Sequence, residues 1–600
     1  MKTRRYIIML AVALAALSIN AQNQKEDLHK EITLDKDFVP VEKKATKKNA
    51  LPAVARPKLS TSGTKLNYSD WVQPTEVTTD IPTLLPYGYR TAHLFNDKRG
   101  YFLVGGGTQA NFTGAFGYRI VDTEKNKVAL WLQHNSSWNG RNSSMELPDG
   151  MERVKQQLND NLLKLDYTGQ VGKGTLELGL NGHLDNFNYY GGWMPYDRTG
   201  AYVDWSKLKQ TYHHVDAHGA WSSSLTVRDD HEVSYNASLQ VGHSGYAEGI
   251  DYNKGIQETA FTANVGAGYT LANGSIVGLN INGEYLKHNI KAINDNYSRG
   301  MITFNPYYTL DGARYHLHAG VNMHVSMSDG ATLRFSPDVR FDAELAGGLS
   351  FFASATGGKD MGHIDPVHTL YRYAYPMSHC YSIYTPVDAE AGFAIGPFAG
   401  FTARLAASYA IVKGTLDPVM YEELAWQTDP DPTAVSYEQQ MLARGAATHF
   451  VGHDTRGFMV SAELGYKYRS LVDAKFRIRY APSDDDFNTH RYTRTYDLGA
   501  HGGGIEIGAS VDVTPIKPLT LNVGFDFVGE RSYAQHIGGE DYIWEDMRNI
   551  VDLHLGASYR IDKSLSVWAR ASNLLNKRWD IFYGMGAQRI NAMVGLQVTF

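Results

Sequence analysis

From about Gly100 to Phe600 the chain repeatedly sets an apolar residue beside a polar or small one. Val233, Tyr235, Ala237, Leu239 and Val241 interleave with Ser234, Asn236, Ser238 and Gln240. Leu519, Leu521, Val523, Phe525 and Phe527 interleave with Thr520, Asn522, Gly524 and Asp526, and Ile590, Ala592, Val594, Leu596, Val598 and Phe600 repeat the pattern at the C-terminus. Alternation with period two puts one row of side chains on each face of a strand. Strands of globular proteins usually run about 5–6 residues. These segments run about 10–13, the length a tilted strand needs to cross a bilayer.

Compact turns are predicted at Thr123–Asn126, Gly172–Gly174, Arg228–Asp230, Ala272–Gly274, Gly396–Pro397, Ser470–Leu471, Pro515–Pro518 and Asp562–Lys563. Most carry the Gly, Asn, Asp or Pro that tight hairpins favour. Further hairpins are predicted around Asp311–Gly312, Ser328–Gly330 and Ala346–Gly348. Between them lie longer irregular stretches: Asn139–Gln157, Gly358–Val387, Lys413–Thr455, Pro482–Leu498 and Arg531–Arg548. Short turns at one rim and long loops at the other are the outer-membrane arrangement. The expected fold is all-β, a transmembrane antiparallel β-barrel of about 22 strands over residues 99–600. A solenoid or propeller would repeat its loop lengths at a fixed period, and none recurs here. A soluble sandwich would not need strands this long.

Composition agrees with a lipid-facing wall. Aromatic residues make up 12% of the chain, with 38 Tyr, enough for two interfacial girdles. Gly242, Gly266 and Gly268 fall on the inward row, where a missing side chain lets strands bend and pack. Beyond the N-terminus there is no apolar run long enough for a membrane helix. A basic Lys2, Arg4 and Arg5 followed by the apolar Tyr6–Leu17 reads as an export signal over residues 1–21, cleaved after Ala21. Residues 22–98 read as a largely disordered periplasmic segment, because Lys43–Lys65 holds seven basic and no acidic residues among Pro, Ser and Thr. The more apolar Trp71–Pro74 and Ile81–Tyr89 could lie against the lumen wall. The formal net charge of −6 argues against a nucleic-acid partner. The single Cys380 allows no internal disulfide and is no N-terminal lipid acceptor.

Gly595, Val598 and terminal Phe600 resemble the assembly signal of outer-membrane barrels, which implies the barrel-assembly machinery as a partner. Such an edge strand suits recognition by strand addition. Ala571–Trp579 is similar to a run on the penultimate strand of TonB-dependent receptor barrels. Lys98–Tyr101 with Gly105–Gly106, and Leu132–Ser137, resemble the plug-lacking TonB-dependent-receptor-like proteins of the Bacteroidetes type. That resemblance, over roughly residues 66–600, implies a 22-stranded barrel in the outer membrane, a receptor or transport role, and outer-membrane lipid around it. Only about 78 residues lie between the signal and Gly100, fewer than a receptor plug needs, and Glu31–Leu34 offers only a weak match to a coupling box, so TonB-driven uptake is not implied.

Candidate chemistry lies on the inward rows. Lys467, Arg469, Lys475, Arg477 and Arg479 are expected on the lumen face of one hairpin, and Arg334, Asp338, Arg340, Asp342 and Glu344 along another strand. They would set an electrostatic preference in a pore or form the salt-bridged wall that a wide barrel needs. His214, Asp216 and His218 share one inward row, and His316, His318 and His324 another, but the two strands are not neighbours, so no metal site is expected. His134 and Ser136 share a face, as catalytic pairs on barrel walls do, but no third carboxylate is evident. Gly105–Gly107 has no Lys-Ser/Thr and no helix after it, so it is no phosphate loop. No cofactor and no enzymatic activity are expected.

A 22-stranded barrel encloses a lumen wide enough for an aqueous channel. Folded-in extracellular loops, the N-terminal tail or a partner must occlude it. The expected function is a channel or transporter for an unidentified solute. The alternative is a non-transporting scaffold subunit of an envelope assembly, with a periplasmic or surface lipoprotein as partner.

Overall fold

The structure is a computed structural model and describes residues 98–140, 155–190, 209–227, 231–248, 255–290, 295–327, 330–374, 376, 382–421, 449–481, 504–538, 541–582 and 585–600. The signal with its cleavage point at Ala21, the 22–97 segment, the Arg228–Asp230 turn, the Pro482–Leu498 stretch and Cys380 lie outside the described residues.

Alternation becomes strand throughout. The first strands are β1 (Gly100–Gly107), β2 (Phe112–Asp122), β3 (Asn126–Gly140), β4 (Lys155–Val171), β5 (Gly174–Asn188), β6 (Lys209–Val227), β7 (His231–Tyr246), β8 (Gln257–Thr270), β9 (Ile276–Ile290) and β10 (Asp295–Asp311). They continue as β11 (Tyr315–Met327), β12 (Leu333–Ala346), β13 (Leu349–Asp360), the helix α1 (Ile364–Leu370), β14 (Ile383–Phe398), β15 (Phe401–Tyr421), β16 (His449–Tyr468) and β17 (Val472–Tyr480). The remainder are β18 (Ile505–Ile516), β19 (Leu519–Gly529), β20 (Arg531–Gly538), β21 (Asp541–Met547), β22 (Ile550–Arg560), β23 (Leu565–Ser572), the short pair β24 (Asp580–Phe582) and β25 (Met585–Gly586), and β26 (Asn591–Thr599).

Each barrel strand pairs antiparallel with the next, β19 pairs with β22 past the β20–β21 hairpin, and β1 pairs with β26 to close the ring. The closed barrel has 22 strands, as the alternation implies. At the seam Gly105 lies opposite Gly595, and the Phe600 carbonyl accepts the Gly100 N–H at 2.8 Å. A Cβ on Gly595 would collide with the Val104 carbonyl oxygen and the Trp568 ring, so only glycine lets the indole close the inner face of the seam. Phe600 points outward and stacks on Tyr118 at 6.0 Å.

The outward rows are apolar and uncovered: Leu239 is 56% exposed, Val265 59% and Val594 65%. Apolar surface of this extent is stable only against lipid. The protein is therefore an outer-membrane barrel with its short turns at the periplasmic rim. Val265→Arg, about five residues from a periplasmic turn, puts a cation near the bilayer midplane and is expected to cost about 2–4 kcal/mol. Urea titration of folding into vesicles measures that loss directly.

Several loop boundaries differ from expectation. The turn expected at Gly396–Pro397 lies at Ala399–Gly400, where φ of 50° and 88° at successive residues suits a tight hairpin, and β14 runs on through Phe398. The two ends of Lys413–Thr455 are ladder, not loop: β15 reaches Tyr421 and β16 starts at His449. Arg531–Arg548 folds into the β20–β21 hairpin, and Ala534–His536 pairs parallel with Val419–Tyr421. Backbone pairing needs no apolar alternation, so these extracellular extensions leave no periodic trace. The receptor-like run Asn573–Trp579 leaves the penultimate strand rather than continuing it, turning at Asn573 and Asn576 with φ of 49° and 52°.

Candidate functional site

The segment after β13 does not stand clear of the barrel. Gly362, at φ 72°, donates its N–H to Asp360 and turns the chain into the lumen. Helix α1 follows, with Pro366 in its first turn, where no donor is required, and Asp365 there favoured by the helix dipole. Two turns of helix are marginal alone. The wall holds this one. Residues 361–374 form a strap whose contacts run along the inner wall from β10 to β4.

Arg299 of β10 donates to the Gly362 carbonyl at 3.3 Å. His363 then sits between two carboxylates, Nδ1 3.1 Å from Glu258 of β8 and Nε2 2.5 Å from Glu284 of β9. Glu258 also accepts the Ile364 N–H at 3.1 Å and faces His288 at 2.8 Å. Tyr212 of β6 donates to Asp365 at 2.8 Å. His368 stacks on Tyr212 at 3.7 Å, faces the Tyr246 hydroxyl of β7 through Nδ1 at 3.2 Å, and faces Asp185 of β5 through Nε2 at 3.1 Å. Arg372 bridges Asp185 at 2.5 Å and Asp160 of β4 at 3.2 Å. Tyr373 packs on Phe187 at 5.5 Å and accepts from Gln156 at 3.3 Å. Apolar contact backs the polar wiring, with Met361 buried against Leu286 and Met301.

The electrostatics divide the strap into two clamps. Burial disfavours charge on His363, but hydrogen bonds and attraction from Glu258 and Glu284 outweigh it and raise the imidazole to about 10. With a carboxylate on each ring nitrogen, both nitrogens donate, and the ring is an imidazolium at neutral pH. His368 is the opposite case. Full burial lowers its pKa and outweighs Asp185, so it is neutral, with the Nε2 proton on Asp185 and Nδ1 accepting from Tyr246. The other charged clamp is Arg372, set between two buried carboxylates.

His183, Asp185 and His368 place ligand-type atoms within 4.8 Å of one another, a cluster the sequence reading missed because one member is on the strap. The Arg372 guanidinium already occupies the cation's position on Asp185, and His183 Nε2 faces Asp160 at 3.1 Å. The arrangement is an ionic clamp, and it brings no case for a metal.

Arg334 and Arg340 are on the inward row of β12, Arg334 over the Tyr384 ring at 4.3 Å and Arg340 3.4 Å from Asp338. Lys467, Lys475, Arg477 and Arg479 line the inner face of β16 and β17, with Arg479 3.4 Å from Glu506. Arg469 is not with them. It is a turn residue at φ 50°, its guanidinium 5.4 Å from the outward Tyr468 ring, because the strand ends one residue before it. The two histidine rows stay apart: His214 faces Asp216 at 3.1 Å, whereas His318 faces Asp338 and His324 faces Ser336.

Comparison with known proteins finds no matching family model and no matching curated protein. Solved structures do match in fold. The ferric enterobactin receptor PfeA of Pseudomonas aeruginosa, in complex with BCV-L6, is 12% identical with a TM-score of 0.60, covering 84% of this chain and 81% of that one. The siderophore receptor PirA of Acinetobacter baumannii is 9% identical with a TM-score of 0.58, covering 84% and 80%. The FrpB iron transporter of Neisseria meningitidis is 12% identical with a TM-score of 0.59, covering 84% and 82%. This chain has the 22-stranded barrel architecture that such receptors and transporters use.

Proposed function

We propose that the protein is a receptor-like outer-membrane transporter or channel for a solute, in which the strap of residues 361–374 narrows the lumen. The observation that carries this reading is the strap itself, held along the wall from β10 to β4 by two charged clamps. A segment whose hold includes two charged clamps can be displaced by a solute or by a partner offering competing charges. The inward rows of Arg and Lys on β12, β16 and β17 would give the pathway its electrostatic preference. The reading concerns passage and does not call on TonB-driven uptake.

The test is conductance of the purified full-length protein in planar bilayers, compared with a variant in which residues 362–374 are replaced by a Gly-Ser linker. The deletion is expected to raise single-channel conductance at least severalfold. Equal, negligible conductance from both proteins overturns the proposal, and fixed partner proteins co-purifying with a closed barrel would favour a scaffold.

A further inference from the structure

The outward faces of β3 and β4 carry an arrangement that the lumen does not use. Leu132 and Trp138 of β3 point to the outside, and so by strand parity do His134 and Ser136 between them. On β4 the outward row runs from Leu165 and Leu163 to Asn161 and Asn159. His134 Nε2 is 3.2 Å from Ser136 Oγ, and His134 Nδ1 is 2.8 Å from Asn161 Oδ1.

The hydrogen bonds around Asn161 settle the direction of this relay. Its Nδ2 donates to Asn159 Oδ1 at 3.1 Å and to the Leu184 carbonyl at 3.3 Å, which fixes the amide with Oδ1 toward His134. Oδ1 can only accept, so His134 Nδ1 carries the proton. Nε2 is left with a lone pair directed at the Ser136 hydroxyl. A serine, a histidine in the tautomer that can take its proton, and an acceptor that holds that tautomer are the parts of an acyl-transfer nucleophile, whichever fold presents them. Along the sequence no carboxylate offers itself as the third member. An amide on the neighbouring strand fills the position.

The surroundings point to the substrate. His134 and Asn161 border an open depression of about 600 Å³, walled by Phe102, Phe112, Leu132, Leu163, Leu184 and Val215. Gly114 and Gly182 lie on the outward rows there, and their missing side chains give the depression its depth. His134 is about eight residues from the periplasmic turn, so it stands roughly 20 Å up an apolar band of about 25 Å. Outward Trp138, 66% exposed, comes two residues beyond Ser136, as an interfacial aromatic would. An ester at this level, with its chain along an apolar wall and water at the rim, belongs to a membrane lipid.

We propose that His134, Ser136 and Asn161 form an acyl-ester hydrolase site on the outer wall, acting on glycerophospholipid. Ser136 Oγ bonds to the ester carbonyl carbon as its proton passes to His134 Nε2. The carbon–oxygen bond to the glycerol then breaks, and His134 returns the proton to the departing alkoxide, releasing lysophospholipid. Water, deprotonated by His134, cleaves the acyl-Ser136 ester to free fatty acid and the original serine. Asn161 is a positioning residue. The site is independent of the strap and of any transport.

Full-length protein in detergent micelles is treated with a fluorescent alkyl fluorophosphonate, and labelled peptides are mapped by mass spectrometry. Fatty-acid release from diacyl phosphatidylcholine in mixed micelles is measured in parallel. Ser136 is expected to be labelled and fatty acid released. Ser136→Ala should abolish both, and His134→Phe should slow both by at least about 100-fold. Asn161→Ala should slow both about tenfold, with Asn161→Asp, which keeps the acceptor, restoring them. All variants should keep the heat-modifiable migration of a folded barrel. Folded wild-type protein with an unlabelled Ser136 overturns the proposal, as does labelling that His134→Phe leaves unchanged. The three side chains would then be a hydrogen-bonded interfacial patch.

Discussion

Arg372→Ala is expected to free the C-terminal part of the strap, because it leaves Asp160 and Asp185 as buried carboxylates without their cation. Both are almost fully shielded, at 3% and 0% exposed. Breaking a buried ion pair by removing one partner costs about 3–5 kcal/mol, most of it the penalty of the stranded charge. The segment also depends on Tyr373 packing against Phe187, which Arg372 keeps in register. Hydrogen exchange read by mass spectrometry should show strap peptides losing protection by at least two orders of magnitude, with β4 and β5 peptides little changed. The triple variant Arg372→Met, Asp160→Asn, Asp185→Asn removes the stranded charges together with the cation and should restore much of the protection. Protection unchanged in Arg372→Ala would mean that apolar contact alone holds the strap.

Alkaline pH is expected to loosen the other clamp. His363 has its pKa raised by folding, to about 10, against about 6.5 for a free imidazole. Its contribution is therefore complete below about pH 6.5, declines as pH rises, and is gone above about 10. A spin label at Thr369, with Cys380 replaced by Ala, should be immobile at pH 7 and become mobile in a transition approaching pH 10. Glu284→Gln removes one of the two carboxylates that hold the proton and should move that transition to lower pH. His363→Phe should leave the label mobile at every pH. A wild-type label whose mobility is flat from pH 7 to 10.5 would show that the imidazolium does not hold the strap.

The division between what was readable in the chain and what was not follows the range of the interactions. Alternation is local, so the sequence alone determined the strands, their lipid-facing rows, the short-turn rim and the 22-strand count. Parity along one strand sets Arg334, Arg340, Lys467, Lys475, Arg477 and Arg479 on the row opposite the apolar one. Arg469 failed because parity ends where the strand turns. The strap could not be read, because its partners Glu258, Asp185 and Asp160 lie about 100 to 210 residues from it and nothing periodic marks a loop's destination. The density of His363, His368 and Arg372 in one extracellular stretch was the only local trace, and it named no partner. Asn161 beside His134 was hidden for the same reason: parity put His134 and Ser136 together, but strand register brought in the third side chain. Tertiary structure decided both sites, because cross-strand register and the docking of a loop are set by closure of the whole barrel, which no local segment encodes.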